Sequence, residues 1–402
     1  MSESVKRDTR IRGAGAARLV FVRVASSLMQ AVMLVLLARN TDLVDFGLYS
    51  VSIAVGSILI GILGFGLTTR VLRIQADIDR EQLLPSFMAC TFLSAVICVG
   101  SIILFGLAQP GAFDVWSPAA ALYVAAEMIS TFTQSSLFGE QRLRRAELSI
   151  VLKRLIPLVP VAGAAIYAPH LMFQAVTVGS AALILTCLFL FGKRKWAGWN
   201  FKNVLGGSRH FWTASLWNMA QQLDQVAVNF WIGPSAAGGY AAAFRIASPV
   251  HLITGTITSL MVPRISAEQD RGRRNATSRT FIRIGFAYAV TLVLLSPVIA
   301  WVSPILLGDA FSAFSWLFGT LIINSAISVM NQIFSGLLFA EGAAKAVARS
   351  TGISTSLSMI AIFISAYSGS LVGVALGAMG GQLLFFAQLF LLWRSNAKKP
   401  IV

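Results

Sequence analysis

The chain has 402 residues, of which 56% are hydrophobic and only 12% charged, and its mean hydropathy is +0.75. Soluble domains carry roughly 25% charged residues, so a water-exposed fold is excluded: too little polar surface exists to cover this much apolar material. A net charge of +16 does not signal nucleic acid either, because the basic residues sit at the ends of apolar segments and form no single soluble face.

A spanning helix needs about 20 mostly apolar residues to cross about 30 Å of hydrocarbon. Periodicity and hydropathy predict twelve helices, near 14–38, 45–68, 83–107, 117–138, 148–167, 170–192, 211–232, 238–262, 282–303, 312–338, 350–368 and 371–393. Lys6, Arg7, Arg10 and Arg12 precede the first. That segment is too long for a signal peptide and lacks an A-x-A-like cleavage site.

The connectors sort by charge along the chain. Arg70, Arg73 and Arg80 follow helix 2, Arg142, Arg144 and Arg145 follow helix 4, and Lys193, Arg194 and Lys195 follow helix 6. Arg264, Arg271, Arg273 and Arg274 follow helix 8, Lys345 and Arg349 follow helix 10, and Arg394, Lys398 and Lys399 follow helix 12. The alternate connectors hold Asp42, Asp114 and Asp309, and only Arg39 as a cation. One helix more or fewer would break this alternation, so the count is even and both termini are expected in the cytoplasm. Trp116, Trp231, Trp301 and Trp316 fall at outer helix ends and Trp393 at an inner end, as an interfacial belt requires.

The stretch 193–210 is the longest basic break and lies at the midpoint. Trp196, Trp199, Phe201, Val204 and Leu205 make it amphipathic, a surface-lying link. The expected division is therefore a lobe over 1–192, a cytoplasmic linker over 193–210 and a second lobe over 211–402. FGLY at 46–49 matches AGGY at 237–240. Tyr49 to Arg73 and Tyr240 to Arg264 are both separated by 24 positions. Six helices per half give parallel repeats, and the expected fold is all-α and polytopic, with two six-helix lobes around a central cavity.

Charges inside spans must face protein or water. Helix 1 carries Arg18 and Arg23, with Ser26 and Gln30 on the face of Arg23. Arg18 is one turn in, where snorkelling and a cavity role both stand. Helix 4 carries Glu127, helix 5 carries Arg154, and Lys153 falls where its stem can snorkel to the interface. Helix 7 is unusually polar: Asn218, Gln221, Gln222, Gln225 and Asn229 form one stripe at 100° per residue, with Asp224 at its edge. Arg245 enters helix 8, where pairing with Asp224 is compatible with lining a cavity. Helix 10 adds Asn324, Ser328, Asn331 and Ser335.

Such stripes can serve interhelical hydrogen bonds or line a wet cleft. Amides suit sugar hydroxyls, and arginine grips phosphate oxygens bidentately. Pro157 and Pro160 in helix 5, Pro249 in helix 8, and Gly61, Gly64 and Gly66 in helix 2 provide points of bending. Cys90, Cys98 and Cys187 read as small buried hydrophobes. The three histidines are far apart, and no P-loop or G-x-S-x-G occurs, so neither catalysis nor a metal or cofactor is expected.

The stretch Leu37, Ala38, Arg39, then Asp45, Phe46, Gly47 and Tyr49 resembles the bacterial oligosaccharide flippases of polysaccharide biosynthesis. These belong to the multidrug/oligosaccharidyl-lipid/polysaccharide exporter superfamily. Gly239, Tyr240, Ala243, Arg245 and then Val262, Pro263, Arg264 form a second similar stretch. The resemblance implies lobes alternating between inward-open and outward-open. It implies a polyprenyl-pyrophosphate-linked glycan as cargo for exopolysaccharide or lipopolysaccharide synthesis. It further implies residence in the bacterial inner membrane, with polysaccharide polymerase and chain-length proteins as partners. Arg23 and Arg245, then Arg18 and Arg154, are the positions matching the family's interior cations. Asp224 or Glu127 would couple transport to H⁺ or Na⁺. A multidrug/cation antiporter of the same superfamily is the rival reading, and a membrane-embedded glycan polymerase or ligase the third; interior cations outnumber acids, and no large outer loop is expected.

Overall fold

The computed structural model describes residues 3–72, 80–108, 116–140, 142–191, 212, 222–268, 270–341 and 343–396. Among them regular structure is helical throughout. The long helices are α1 (Glu3–Asn40), α2 (Leu43–Leu63), α3 (Arg80–Leu107), α4 (Trp116–Gly139), α5 (Leu143–Tyr167) and α6 (Met172–Phe191). They continue as α7 (Leu223–Trp231), α8 (Pro234–Ala267), α9 (Arg271–Leu307), α10 (Ser315–Ala340), α11 (Ala344–Tyr367) and α12 (Leu371–Asn396). The linker at 193–210 lies outside the described residues, as does the stretch 213–221 of the expected seventh helix.

Local chemistry sets the ends. At the α1–α2 corner, Asn40 Nδ2 donates to the Leu36 carbonyl at 2.8 Å and Thr41 Oγ1 to that of Leu37 at 2.7 Å. Asp42 then caps α2 by accepting from the Val44 amide at 3.0 Å. Gly233, at φ +120°, precedes Pro234 at the first position of α8, where a missing N–H costs nothing. Several helices outrun the predicted spans: α9 begins at Arg271 rather than near 282. Hydropathy locates the hydrocarbon, whereas helical hydrogen bonding continues into water until a cap ends it. For α9 that cap is Asp270, accepting from the Gly272 amide at 2.9 Å.

Nine of the described helical segments are long and apolar enough to cross a membrane by length and composition; α4, α7 and α8 are not among them. The reason for α4 is packing. It is buried on nearly every side against α2, α3, α5 and α6. A helix that faces other helices needs small residues more than lipid-compatible ones.

By contact the chain divides into two compact units, Met1–Val226 and Ala227–Val402. Their internal packing is the same. In the first, α4 touches α2, α3, α5 and α6, α5 packs on α6, and α2 on α3. In the second, α10 touches α8, α9, α11 and α12, α11 packs on α12, and α8 on α9. The α1–α5 pairing has its counterpart in the edge-on contact of Trp231 (α7) with Phe363 (α11), 5.6 Å between centroids. The expected repeat is thus visible as one packing scheme used in each unit, with Tyr49 and Tyr240, the paired tyrosines of the sequence repeat, both fully buried. A second echo joins the hub helices: Leu137, Phe138, Gly139 and Glu140 close α4 as Leu338, Phe339, Ala340 and Glu341 close α10.

Close approach within each unit rests on small residues. On α12, Gly373, Gly377 and Gly381 face Ser365, Ala361 and Ser358 of α11. The interfacial tryptophans divide: Trp301 is 71% exposed, but Trp116 is only 2% exposed, which corrects its reading as an anchor. Its ring turns inward over the Gly106 surface of α3, where glycine leaves room.

Candidate functional site

The interior charges of the first unit lie on three adjacent helices. Glu127 stands 11 residues into α4 and Arg154 11 residues into α5 (127 − 116 and 154 − 143). At 1.5 Å per residue that is about 16 Å from the N-terminal end of each helix and about 18–20 Å from its C-terminal end, close to mid-membrane. Lys153 Nζ lies 2.6 Å from Glu127 Oε1 and donates to Thr131 Oγ1 at 2.7 Å. Arg154 donates to Glu127 Oε2 at 3.0 Å, to Oε1 at 3.4 Å, and to the Tyr123 hydroxyl at 3.0 Å. One carboxylate therefore bridges two cations, and the group keeps a net positive charge. The side chain of Glu127 is 31% exposed, against 10% for Lys153 and 15% for Arg154, so the acid is the most exposed member of the cluster.

This arrangement revises two expectations. Lys153 does not snorkel; it is buried and held by Glu127 and Thr131, because its helix face turns toward α4. Arg154, expected among the cations that meet the cargo, is paired with Glu127. Arg18 is likewise engaged, with its Nε 2.9 Å from Glu147 Oε2 across the α1–α5 seam. The same seam holds Ser26, whose Oγ donates to the Ile150 carbonyl at 3.2 Å. Arg23 lies between these two contacts in sequence, is exposed, and pairs with no acid among the described residues. Gln30 is half-buried on the same helix.

Of the polar stripe on helix 7, Asn218 and Gln221 lie outside the described residues. Gln222 is half-buried in the turn before α7, while Asp224 and Gln225 are 7% and 3% exposed. The two buried side chains do not line open space, and Asp224 Oδ1 accepts from the Gln225 amide at 2.7 Å. In the second unit, Asn331 is buried and donates to Gln382 Oε1 at 2.7 Å and to its carbonyl at 3.0 Å. Its amide ties α10 to α12. Replacing Asn331 by alanine should lower the unfolding free energy in membrane by about 0.5–1.5 kcal/mol while leaving transport intact, as thermal denaturation beside a transport assay would show. Asn324 is half-buried, with its Oδ1 lacking a hydrogen-bond partner among the described residues. Arg245 on α8 is half-buried and, like Arg23, pairs with no acid among the described residues. One turn and a half further along α8, His251 Nδ1 lies 3.1 Å from Gln332 Nε2 of α10, a contact no sequence spacing announces.

Residues 13–269 match a family model described as polysaccharide biosynthesis protein. Among solved structures the chain is similar to the lipid II flippase MurJ in an inward closed conformation, at 13% identity and a TM-score of 0.72, covering 94% of this chain and 87% of that one. It is similar to an inward-facing multidrug resistance MATE family transporter of the MOP superfamily, at 14% identity and a TM-score of 0.69, covering 95% of this chain and 100% of the other. It is also similar to a MOP superfamily transporter from Pyrococcus furiosus described as having a binding pocket of reversed polarity, at 16% identity and a TM-score of 0.59, with 96% of each chain covered. At such identities the likeness is one of fold. No curated protein matches the sequence. With nearly two thirds of its length matched by that family model and its twelve-helix repeat matched by these structures, the chain belongs to the polysaccharide biosynthesis protein family and is a multi-pass membrane protein with the MOP transporter fold.

Proposed function

We propose that the protein is a flippase that moves a polyprenyl-pyrophosphate-linked oligosaccharide from the cytoplasmic to the outer leaflet by alternating access, for surface or exopolysaccharide synthesis. The observation that carries this reading is the pair of arginines within membrane-length helices that have no acid partner among the described residues, the exposed Arg23 in one unit and the half-buried Arg245 in the other. An uncompensated guanidinium inside a membrane protein is costly unless it faces water or an anion, and its planar fork matches phosphate oxygens. Family membership supports the glycan half of the substrate. The multidrug/cation antiporter remains the second reading, since MATE transporters share the fold. It is disfavoured because Arg18, Arg23, Lys153, Arg154 and Arg245 outnumber Glu127, Glu147 and Asp224, whereas a cation site calls for the opposite balance.

On this reading the protein resides in the bacterial inner membrane with cytoplasmic termini. It hands its cargo to a polymerase and chain-length proteins, and draws on H⁺ or Na⁺ through Glu127 or Asp224. Depleting the protein should leave lipid-linked oligosaccharide on the cytoplasmic leaflet, measured by its inaccessibility to an added glycosidase in oriented vesicles. An unchanged leaflet distribution together with new sensitivity to cationic drugs would replace the flippase by the antiporter.

A further inference from the structure

From the mid-membrane cluster of the first unit we infer that Lys153 and Arg154 form an exchange site for a phosphate-class anion, in which Glu127 is the resident anion that the incoming phosphate displaces. The inference rests on the flippase reading for the origin of that anion. Three features of the cluster carry it. First, the charges do not cancel: one carboxylate serves an ammonium at 2.6 Å and a guanidinium at 3.0 Å. A plain structural clamp between α4 and α5 needs one cation, and adding a second like charge costs free energy unless something negative repays it. Second, the carboxylate is the most exposed member, at 31% where the cations are 10% and 15%. Third, the cations have fixed anchors besides the acid. Thr131 Oγ1 accepts from Lys153 at 2.7 Å and the Tyr123 hydroxyl accepts from Arg154 at 3.0 Å, so both stay in position after Glu127 leaves. What then remains is a point donor beside a planar fork, which together suit a group with several anionic oxygens.

Displacement also has a physical use. With Glu127 seated, the empty transporter does not carry two naked cations at membrane depth. With phosphate seated, Glu127 is released as an unpaired acid that can take up a cation. The same side chain thus separates the empty from the loaded state.

The test uses the full-length protein in lipid nanodiscs, with farnesyl pyrophosphate, inorganic pyrophosphate and farnesol as probes and calorimetry as the readout. Farnesyl pyrophosphate should bind the wild type, and Glu127→Gln, which keeps the shape but removes the competitor, should bind it about tenfold more tightly. Lys153→Met and Arg154→Met should each weaken binding about tenfold. Farnesol should not respond to any of these changes. If Glu127→Gln leaves affinity unchanged or lowers it while the melting temperature falls, the trio is a helix clamp and the exchange is wrong, with the flippase reading intact. If the wild type binds no pyrophosphate at all, both fail together. If inorganic pyrophosphate binds as tightly as the farnesyl compound and follows the same variants, the exchange stands and the lipid-linked cargo does not.

Discussion

Replacing Arg23 or Arg245 by alanine should reduce surface polysaccharide by about tenfold to a hundredfold at unchanged protein abundance. A charge-assisted hydrogen bond to an anion is worth about 1.5–3 kcal/mol, and every 1.4 kcal/mol is a factor of ten. Neither arginine holds an acid among the described residues, so its loss leaves no orphaned carboxylate, and the fold should survive. The lysine variants should retain part of the activity, because charge persists while the planar fork is lost. The measurement is surface glycan per unit of membrane-inserted protein in cells carrying each variant. Normal glycan from Arg23→Ala and Arg245→Ala alike would remove the observation on which the flippase reading stands. Arg18→Ala provides the contrast: it breaks the pair with Glu147 on the half-exposed α1–α5 seam, and the expected effect on transport is smaller.

The largest structural effect is expected at Gly179. A Cβ at this position would stand 2.6 Å from the Cα of Pro157 and 3.0 Å from Cγ of Pro160. Those atoms belong to the backbone and ring of an interrupted helix and cannot swing aside, unlike the Val124 and Met261 methyls that face Gly56 and Gly336. Gly179→Ala should therefore cost about 1–3 kcal/mol, in the range of overpacked cores. Gly179→Leu should separate α5 from α6 and leave little folded protein after solubilisation. Gly163→Ala is the control, since nothing lies within 4 Å of its added methyl and helix propensity favours alanine. Melting temperatures followed by intrinsic tryptophan fluorescence distinguish the three. A Gly179→Ala protein as stable as Gly163→Ala would mean that α5 and α6 are not held at this distance.

The same two helices show why sequence reading succeeded on layout and faltered on the site. Twelve apolar segments separated by alternating charge are a one-dimensional property: each span must meet lipid on its own, and its flanking cations orient it regardless of neighbours. The internal repeat was partly legible in Tyr49 and Tyr240, and the LFGE and LFAE ends of α4 and α10 carry a further trace that spacing alone does not rank above chance. The hub helix α4, expected at 117–138 and found at Trp116–Gly139, is nonetheless not apolar enough to count as a span by composition, for a reason the packing makes plain. Surrounded by helices, it is selected for small size rather than for apolarity.

Site residues behave differently. Lys153 and Arg154 are neighbours in sequence, and a helix places neighbours about 100° apart, so no periodicity predicts that both reach one acid, Glu127, on the preceding helix. Asn331 and Asn324 lie on one helix at two-turn spacing, yet one is spent on Gln382 and the other is not. By itself the sequence determined the membrane class, the count of helices, the duplicated plan and the surplus of interior cations, because each follows from what a single segment must satisfy in lipid. Only the tertiary structure decided which of those cations are already answered by an acid and which, Arg23 and Arg245, are not, because charge pairing across helices depends on the rotation and depth of both partners.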